Sequence, residues 1–590
     1  MAGSTLQSAY EQARAALLHE RQGTHWVGEL ASSALSTATA VSALSLAQPA
    51  PDSRSPLVDA GIDWLITHQN EDGGWGDTVD SVSNLSTSIL VRAALKLSGR
   101  VAAEAAVDQR AQRYVESLGG HGAVQQRYGR DKTFAVPILT NAALAGLVSW
   151  REVSPLPFEL AVFPQAWYRF LQMPVVSYAI PALVAIGQAR FFHRPPRNPC
   201  VRWLRGRCVA PSLRVLGDMQ PASGGYLEAI PLTSFVLMSL AANGQGQLEV
   251  GQNAQRFLCD TARSDGSWPI DTNLATWNTT LAMNALGLDS QWDWSSCAEW
   301  VLGCQHRQTH PFTGSPPGAW GWSDLSGAVP DADDTPGALL ALRKVYDQAE
   351  PADRNRVQSA ARDGIGWLLK LQNRDGGWPT FCRGWGKLPF DRSGSDLTAH
   401  ALRAIHAWPE LATTASAAAT QRGLRYLVGQ QRTDGSWLPL WFGNQFEPND
   451  ENPIYGTARV LLALTELDGE APEAHRSGVA YLVRRQNADG GWGHRDQPGQ
   501  SGVEESSVAL EALLRAFSRE PDAEQFVPLK SAIQRGLGWL THAVESGEIR
   551  RASPIGLYFA KLWYHERLYP LTFAVAALRA AIECPHELSS

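Results

Sequence analysis

Apolar positions along this chain recur at helical spacing in two kinds of segment that alternate. One kind ends in a shared half-phrase, seen as GIDWLITHQ at 61–69, WVLGCQ at 300–305, GIGWLLKLQ at 364–372, GLRYLVGQQ at 423–431 and GVAYLVRRQ at 478–486. The other kind is a more uniformly apolar run, such as TARVLLALTEL at 457–467 and VALEALLRAF at 508–517. Between them stands Gln-x-x-x-Gly-x-Trp, in full at Gln69–Trp75, Gln372–Trp378, Gln431–Trp437 and Gln486–Trp492. Weaker copies occur at 22–26, 220–226 and 264–268, and an expanded one runs from Gln305 to Trp320.

The Asp-Gly-Gly core of the phrase suits a turn that stops one helix, because glycine accepts positive φ. The next apolar run then reverses direction, so each repeat predicts a helical hairpin. Hairpins of this kind cannot bury their apolar faces alone and must stack on their neighbours, as an open solenoid or closed into a ring, of which closure is preferred here. The expectation is an all-α fold of two α/α-barrel domains, each with inner and outer helix rings, whose mouths are lined by the turns and the inner-helix N-termini. The repeat Gln is expected to satisfy backbone groups at a helix end and the Trp to cover the turn, which accounts for most of the 22 tryptophans.

The first barrel is expected over 30–270, with an irregular Pro-rich insertion at about 120–215, and the second over 1–29 and 271–590. The run RFFHRPPRNPCVRWLRGR at 190–207 mixes basic and aromatic residues and suits either a membrane surface or an irregular packed connection. The apolar stretch at 173–187 is short and interrupted by Pro174 and Pro181, so no spanning helix is expected there.

Composition narrows the function. The net charge of −7, with 18% charged residues, offers no basic field, so nucleic acid is not expected as a partner. Seven scattered cysteines without a CxxC pair suit a reducing compartment, and residues 1–30 lack the pattern of a secretory signal.

The sharpest chemical signal is Asp331-Ala332-Asp333-Asp334-Thr335-Pro336, preceded by Trp320-Gly321-Trp322 and followed by the apolar run GALLALRKV. Pro336 is expected at the first position of that helix, with Thr335 as its cap. Three carboxylates so close raise one another's pKa, and burial among aromatics acts in the same direction. The helix dipole opposes both. An isolated DxDD equally suits a solvated loop or a calcium site.

With the Gln-to-Trp repeats around it, the chain resembles the squalene-hopene cyclases and the wider class II triterpene cyclases. That resemblance implies that Asp333 is the alkene-protonating acid, with Asp331 and Asp334 as polarising neighbours. Ser395-Asp396-Leu397-Thr398-Ala399-His400 resembles the family's SEDxTAH phrase, which implies that His400 hydrogen-bonds the donor and that Asp396 supports it. Tyr455-Gly456-Thr457 resembles the family's YGT phrase and implies a part for Tyr455 in resupplying the proton. Cation-lining positions carried over from the family are Tyr178, Trp277, Trp322, Phe381 and Trp441. Phe381 stands where the family has Tyr and Trp322 where it has Phe. Tyr558 and Phe559 take the place of the family's C-terminal aromatic run. No cofactor and no metal are implied. The substrate is expected to be squalene or a similar apolar polyprenyl chain. The protein is then cytoplasmic and peripheral on the inner membrane face, and a homodimer is implied by resemblance alone.

The chemistry agrees with these residue types. Protonating an unactivated alkene demands a strong acid, and a charged histidine donating to one Asp oxygen is expected to make the remaining proton easier to lose. The cation then needs a dry cavity whose walls stabilise charge without attacking it, and each desolvated aromatic face supplies roughly 0.5–2 kcal/mol. The rivals are a zinc-dependent prenyltransferase-like ring, a DDxxD magnesium site, a carbohydrate-active barrel with paired carboxylates in a wet cleft, and a non-catalytic repeat scaffold. The Asp-x-Cys phrase of the first is missing, and Thr-Pro-Gly after Asp334 removes the second.

Overall fold

The computed structural model describes residues 2–48, 55–129, 132–164, 167, 177–288, 291–381, 390–467, 469–493, 501–519, 527–557 and 561–584. Six apolar helices, α1 Ala275–Leu286, α2 Asp334–Gln348, α3 Ser395–His406, α4 Pro453–Glu466, α5 Val503–Phe517 and α6 Tyr569–Ile582, pack each on the next, and α6 returns to α1. They form a closed inner ring. Outside it lie Trp294–Gly303, Pro351–Leu371, Thr414–Gln430, Pro472–Arg484 and Val527–Ser546, and the N-terminal helix Ala2–His19 packs on α6 beside the last of these. A second ring is closed by Ala34–Ala47, Leu85–Leu97, Lys132–Leu144, Ile180–His193 and Ile230–Ala242. The architecture is the expected pair of helical barrels.

The repeat phrase explains how hairpins lock together. In seven copies the Trp indole donates to an outer-helix carbonyl, as from Trp378 Nε1 to Leu368 O at 2.9 Å and from Trp437 Nε1 to Leu427 O at 2.7 Å. The same residue's backbone N–H donates to a Ser or Thr hydroxyl of the following inner helix, Thr398 for Trp378 and Thr457 for Trp437, both at 3.0 Å. Each tryptophan is thus a rivet between the two layers. Tyr226 reproduces it with a phenol, donating to Leu216 O at 2.8 Å.

The repeat glutamine reaches further than a helix end. Gln372 Nε2 donates to Gly376 O at 2.8 Å and to Ala419 O of the next outer helix at 2.9 Å, and Gln431 and Gln486 repeat the pattern. Gly376 itself has φ +95°, and a Cβ there would stand 2.4 Å from Arg422 O, so only glycine fits.

The all-α expectation misses a small antiparallel sheet at the barrel mouth, ordered β1 Phe442–Asn444, β2 Ile555–Leu557 and β3 Leu562–Tyr564. It ties Ile555–Leu557 and Leu562–Tyr564 to Phe442–Asn444, in the stretch between α3 and α4.

Candidate active site

A cavity of about 970 Å³ lies where the two barrels meet. Its walls are mostly aliphatic and aromatic, with Leu90, Ile138, Leu183 and Phe235 from one barrel facing Trp277, Trp322, Phe381 and Trp441 from the other. Asp331, Asp333 and Asp334 line it at the N-terminus of α2.

That helix starts earlier than the sequence suggests. It begins at Asp334, and the oxygen that accepts from its first N–H groups belongs to Asp331, whose Oδ1 takes Asp333 N at 2.8 Å and Asp334 N at 2.7 Å. Thr335 is not the cap. Its hydroxyl is occupied by the backbone of Trp320, receiving Trp320 N at 3.0 Å and donating to Trp320 O at 3.2 Å.

The three acids therefore differ. Asp331 and Asp334 are each 4% exposed. Burial lifts the Asp331 carboxyl to about 7 against the pull of its two N–H donors. Asp334 is pushed well above the carboxylate range by burial and then by the Asp331 charge, which holds it neutral. Asp333 is the most open of the three to the cavity, with 21% of its side chain exposed. Nδ1 of His400, on α3, sits 2.8 Å from Asp333 Oδ1, which leaves the second carboxyl oxygen free of that bond. Burial lowers the His400 pKa, the Asp333 bond opposes this, and the cations Arg403 and Arg459 add to the lowering. The indole of Trp277 meets the His400 ring edge-on at 6.1 Å between centroids.

Asp396 departs from the expected support of His400. It lies one turn earlier on α3, and its Oδ1 accepts Leu440 N at 2.9 Å and its Oδ2 Trp441 N at 3.4 Å. Burial, and after it the Asp333 charge, raise it to about 7. It acts on Trp441 by holding its backbone. Tyr455, on α4, hydrogen-bonds with neither Asp333 nor Asp396 among the described residues. Its ring lies against Phe442 at 4.4 Å and under the Arg459 guanidinium at 4.9 Å, and both acids' charges reach its phenol, whose pKa burial raises.

The aromatic positions converge. Tyr178 meets Phe381 edge-on at 5.5 Å and Phe390 at 4.6 Å, Phe381 stacks on Phe390 at 4.8 Å, and Phe390 leans on Trp441 at 5.7 Å. Trp277 and Trp322 form a separate wall beside His400, joined where Trp277 N donates to Trp322 O at 3.2 Å. Tyr558 and Phe559 lie outside the described residues. Phe390, Tyr564, Tyr569 and Asp271 line the cavity without having been singled out from sequence. Tyr564 and Tyr569 place their hydroxyls 3.2 Å apart. Tyr564 ends β3 and Tyr569 opens the last inner helix, and no repeat phrase precedes them to mark either.

Two helical barrels enclosing an apolar cavity, with three carboxyls at its wall and Asp333 the most open of them, define a double-barrel protein. Residues 10–204 match the family model described as squalene-hopene cyclase N-terminal domain, and residues 274–580 that described as squalene-hopene cyclase C-terminal domain. The chain belongs to the squalene-hopene cyclase family. It is 24% identical to enfumafungin synthase of Hormonema carpetanum, covering 95% of this chain and 47% of that one, so it spans about half that relative's length. It is 25% identical to the squalene-hopene cyclase of Bradyrhizobium diazoefficiens, covering 80% of this chain and 78% of that one. The structure of ent-copalyl diphosphate synthase from Streptomyces platensis superposes with a TM-score of 0.53 at 18% identity over 98% of this chain and 99% of that one, which supports the fold.

Proposed function

We propose that this chain is a class II terpene cyclase acting on squalene or another long polyprenyl chain. The observation that carries the reading is Asp333, bonded to His400 on one oxygen and open to an aromatic-walled cavity on the other side. Asp333, protonated on that second oxygen, gives the proton to a terminal alkene. The alkene's electron pair becomes the new C–H bond, the neighbouring carbon becomes cationic, and Asp333 is left as a carboxylate that His400 holds.

Each following alkene then supplies its electron pair to the cation and closes a ring. The series ends when the last cation loses a proton or takes up water. Trp277, Trp322, Phe381, Phe390 and Trp441 stabilise the travelling charge, and Asp396 fixes Trp441 in place. Asp334, held neutral, does not compete for the acid's charge, and Asp331 fixes the backbone N–H groups of Asp333 and Asp334. Tyr455 and the His400 pair return a proton to Asp333 between turnovers. A carbohydrate cleft would be wet and polar, which this cavity is not.

The domain division assigned from sequence, near residue 270, is part of the same reading, as is a peripheral site on the cytoplasmic face of the membrane. Among the described residues no helix is long and apolar enough to cross a membrane. Phe163, Trp167, Phe192, Trp203 and Leu204 are exposed, Trp203 to 64%, beside the exposed Arg197, Arg202 and Arg207. This mixture suits a headgroup layer through which an apolar substrate arrives. Incubating detergent-solubilised protein with squalene and analysing the hydrocarbons by mass spectrometry tests the function. Cyclised product supports it, and unchanged squalene, together with unchanged shorter polyprenyl substrates, rejects it.

A further inference from the structure

The repeat phrase also bears on which residues face the cavity. Two positions after a repeat tryptophan stand Ile270, Trp322 and Thr380, and all three line it. The first full copy, Gln69–Trp75, carries Asp77 at that position. Asp77 is 1% exposed, and its carboxyl is engaged on both oxygens. Oδ1 accepts Asn84 Nδ2 at 2.7 Å and the Thr87 hydroxyl, while Oδ2 accepts Trp563 N at 2.8 Å.

The bond to Trp563 joins residues 486 positions apart in the chain. Trp563 is the middle residue of β3, an edge strand of the small sheet, where it stands opposite Gly556 of β2. An edge strand leaves backbone N–H groups without a ladder partner, and Asp77 accepts this one. The residues on either side, Leu562 and Tyr564, both line the cavity. At this point of the wall the first barrel therefore holds a strand from the far end of the chain.

Asp77 is not needed to start its own barrel helix. Leu85–Leu97 is capped by Asn84, whose Oδ1 accepts Thr87 N at 2.9 Å. The side chains of Asn84 and Thr87 instead fix the Asp77 carboxyl, so the acceptor that Trp563 meets is already oriented. What the strand carries then matters. The charges of Asp333 and Asp334 reach the Tyr564 phenol, which places that ring at the initiating end of the cavity, and its hydroxyl lies 3.2 Å from that of Tyr569. An aromatic face attracts a cation only within about 6 Å of its centroid, so a small displacement of the strand weakens the interaction.

We propose that Asp77 is a positioning residue: by holding the Trp563 backbone it sets Tyr564 against the cation formed beside Asp333, and so governs how many rings close before that cation is quenched. The inference rests on the cyclase reading and adds to it a residue of the first barrel that acts through the strand it holds.

The experiment incubates wild type, Asp77→Asn, Asp77→Ala, Tyr564→Leu and the Asp77→Asn/Tyr564→Leu double variant with squalene. Mass spectrometry gives the ratio of incompletely to fully cyclised products, and total conversion and thermal unfolding are measured beside it. Asp77→Asn keeps the shape of the side chain but turns an NH2 group toward one of the donors that the carboxyl accepts. The ratio is expected to rise about threefold or more in Asp77→Asn and about tenfold or more in Asp77→Ala. With Tyr564→Leu already present, Asp77→Asn is expected to change it by less than about twofold, because residues that act through one another are not additive. A merely structural role lowers the melting temperature and the conversion without moving the ratio. An unchanged ratio in folded Asp77→Asn overturns the inference and leaves the cyclase reading intact, and this variant decides where Asp77→Ala fails to fold. An undiminished change in the double variant overturns it also, since Asp77 then acts elsewhere. A wild type that makes no cyclised product removes the cyclase reading and this inference together.

Discussion

Replacing His400 by phenylalanine removes the bond to Asp333 Oδ1 and little else. The side chain is 16% exposed and its neighbour Trp277 touches it edge-on, so the aromatic replacement preserves the packing. The lost hydrogen bond, 2.8 Å long and to an ionisable partner, is worth about 1.5–3 kcal/mol when one partner is charged. It is strongest after proton transfer, when Asp333 is a full carboxylate, so most of that figure falls on the transition state. The expected result is a fall in kcat of about 10- to 100-fold with KM for squalene nearly unchanged. Initial rates in detergent micelles, with a thermal melt to show that the variant is folded, measure both. A folded His400→Phe protein with kcat within threefold of wild type would refute the idea that this bond tunes the acid.

Trp441→Ala removes one cation-facing ring and should cost about 0.5–2 kcal/mol of transition-state stabilisation, read as a several-fold lower kcat with more early-terminated products by mass spectrometry. Gln372→Leu leaves two buried carbonyls, Gly376 O and Ala419 O, without their donor, and urea denaturation should show a loss of about 2–5 kcal/mol. For Asp331 and Asp396 the folded carboxyls titrate at about 7, above the ordinary 3.8. The folded state therefore holds protons that the unfolded chain releases, so stability should be greatest below about pH 4 on this account and fall by a few kcal/mol as pH rises to 8. Asp396→Asn should flatten that slope in pH-dependent melts.

The features legible in the sequence are those that repeat or that stand in one short motif. The Gln-to-Trp phrase recurs because each copy performs the same riveting, so the helical hairpins and their stacking were readable from spacing, whereas closure into rings rather than an open solenoid was a choice that spacing left open. Asp333 and His400, far apart in sequence, were paired through family phrases, and they meet at 2.8 Å. The cap of α2 was misread because Thr-Pro is a common helix start, whereas here the Thr335 hydroxyl is committed to the Trp320 rivet, leaving Asp331 to bind the free N–H groups. The backbone partners of Asp396 were hidden for a related reason: the helical turn that carries His400 toward Asp333 carries Asp396 toward the loop at Leu440. Tyr564 and Asp271 were invisible because both reach the cavity through short bridges and strands between distant segments, and no local period marks such pairings.

The central claim is that Asp333 supplies the proton, and Asp333→Asn tests it most directly because the amide keeps the shape and the His400 contact while having no acidic proton to give. Wild-type and Asp333→Asn proteins are incubated with squalene under identical conditions, and cyclised products are quantified by mass spectrometry. General acid catalysis is worth about 10²- to 10⁴-fold, so the account predicts at least a hundredfold loss of every cyclised product in a variant that melts like wild type. Cyclisation by a folded Asp333→Asn protein at more than about a tenth of the wild-type rate would contradict it.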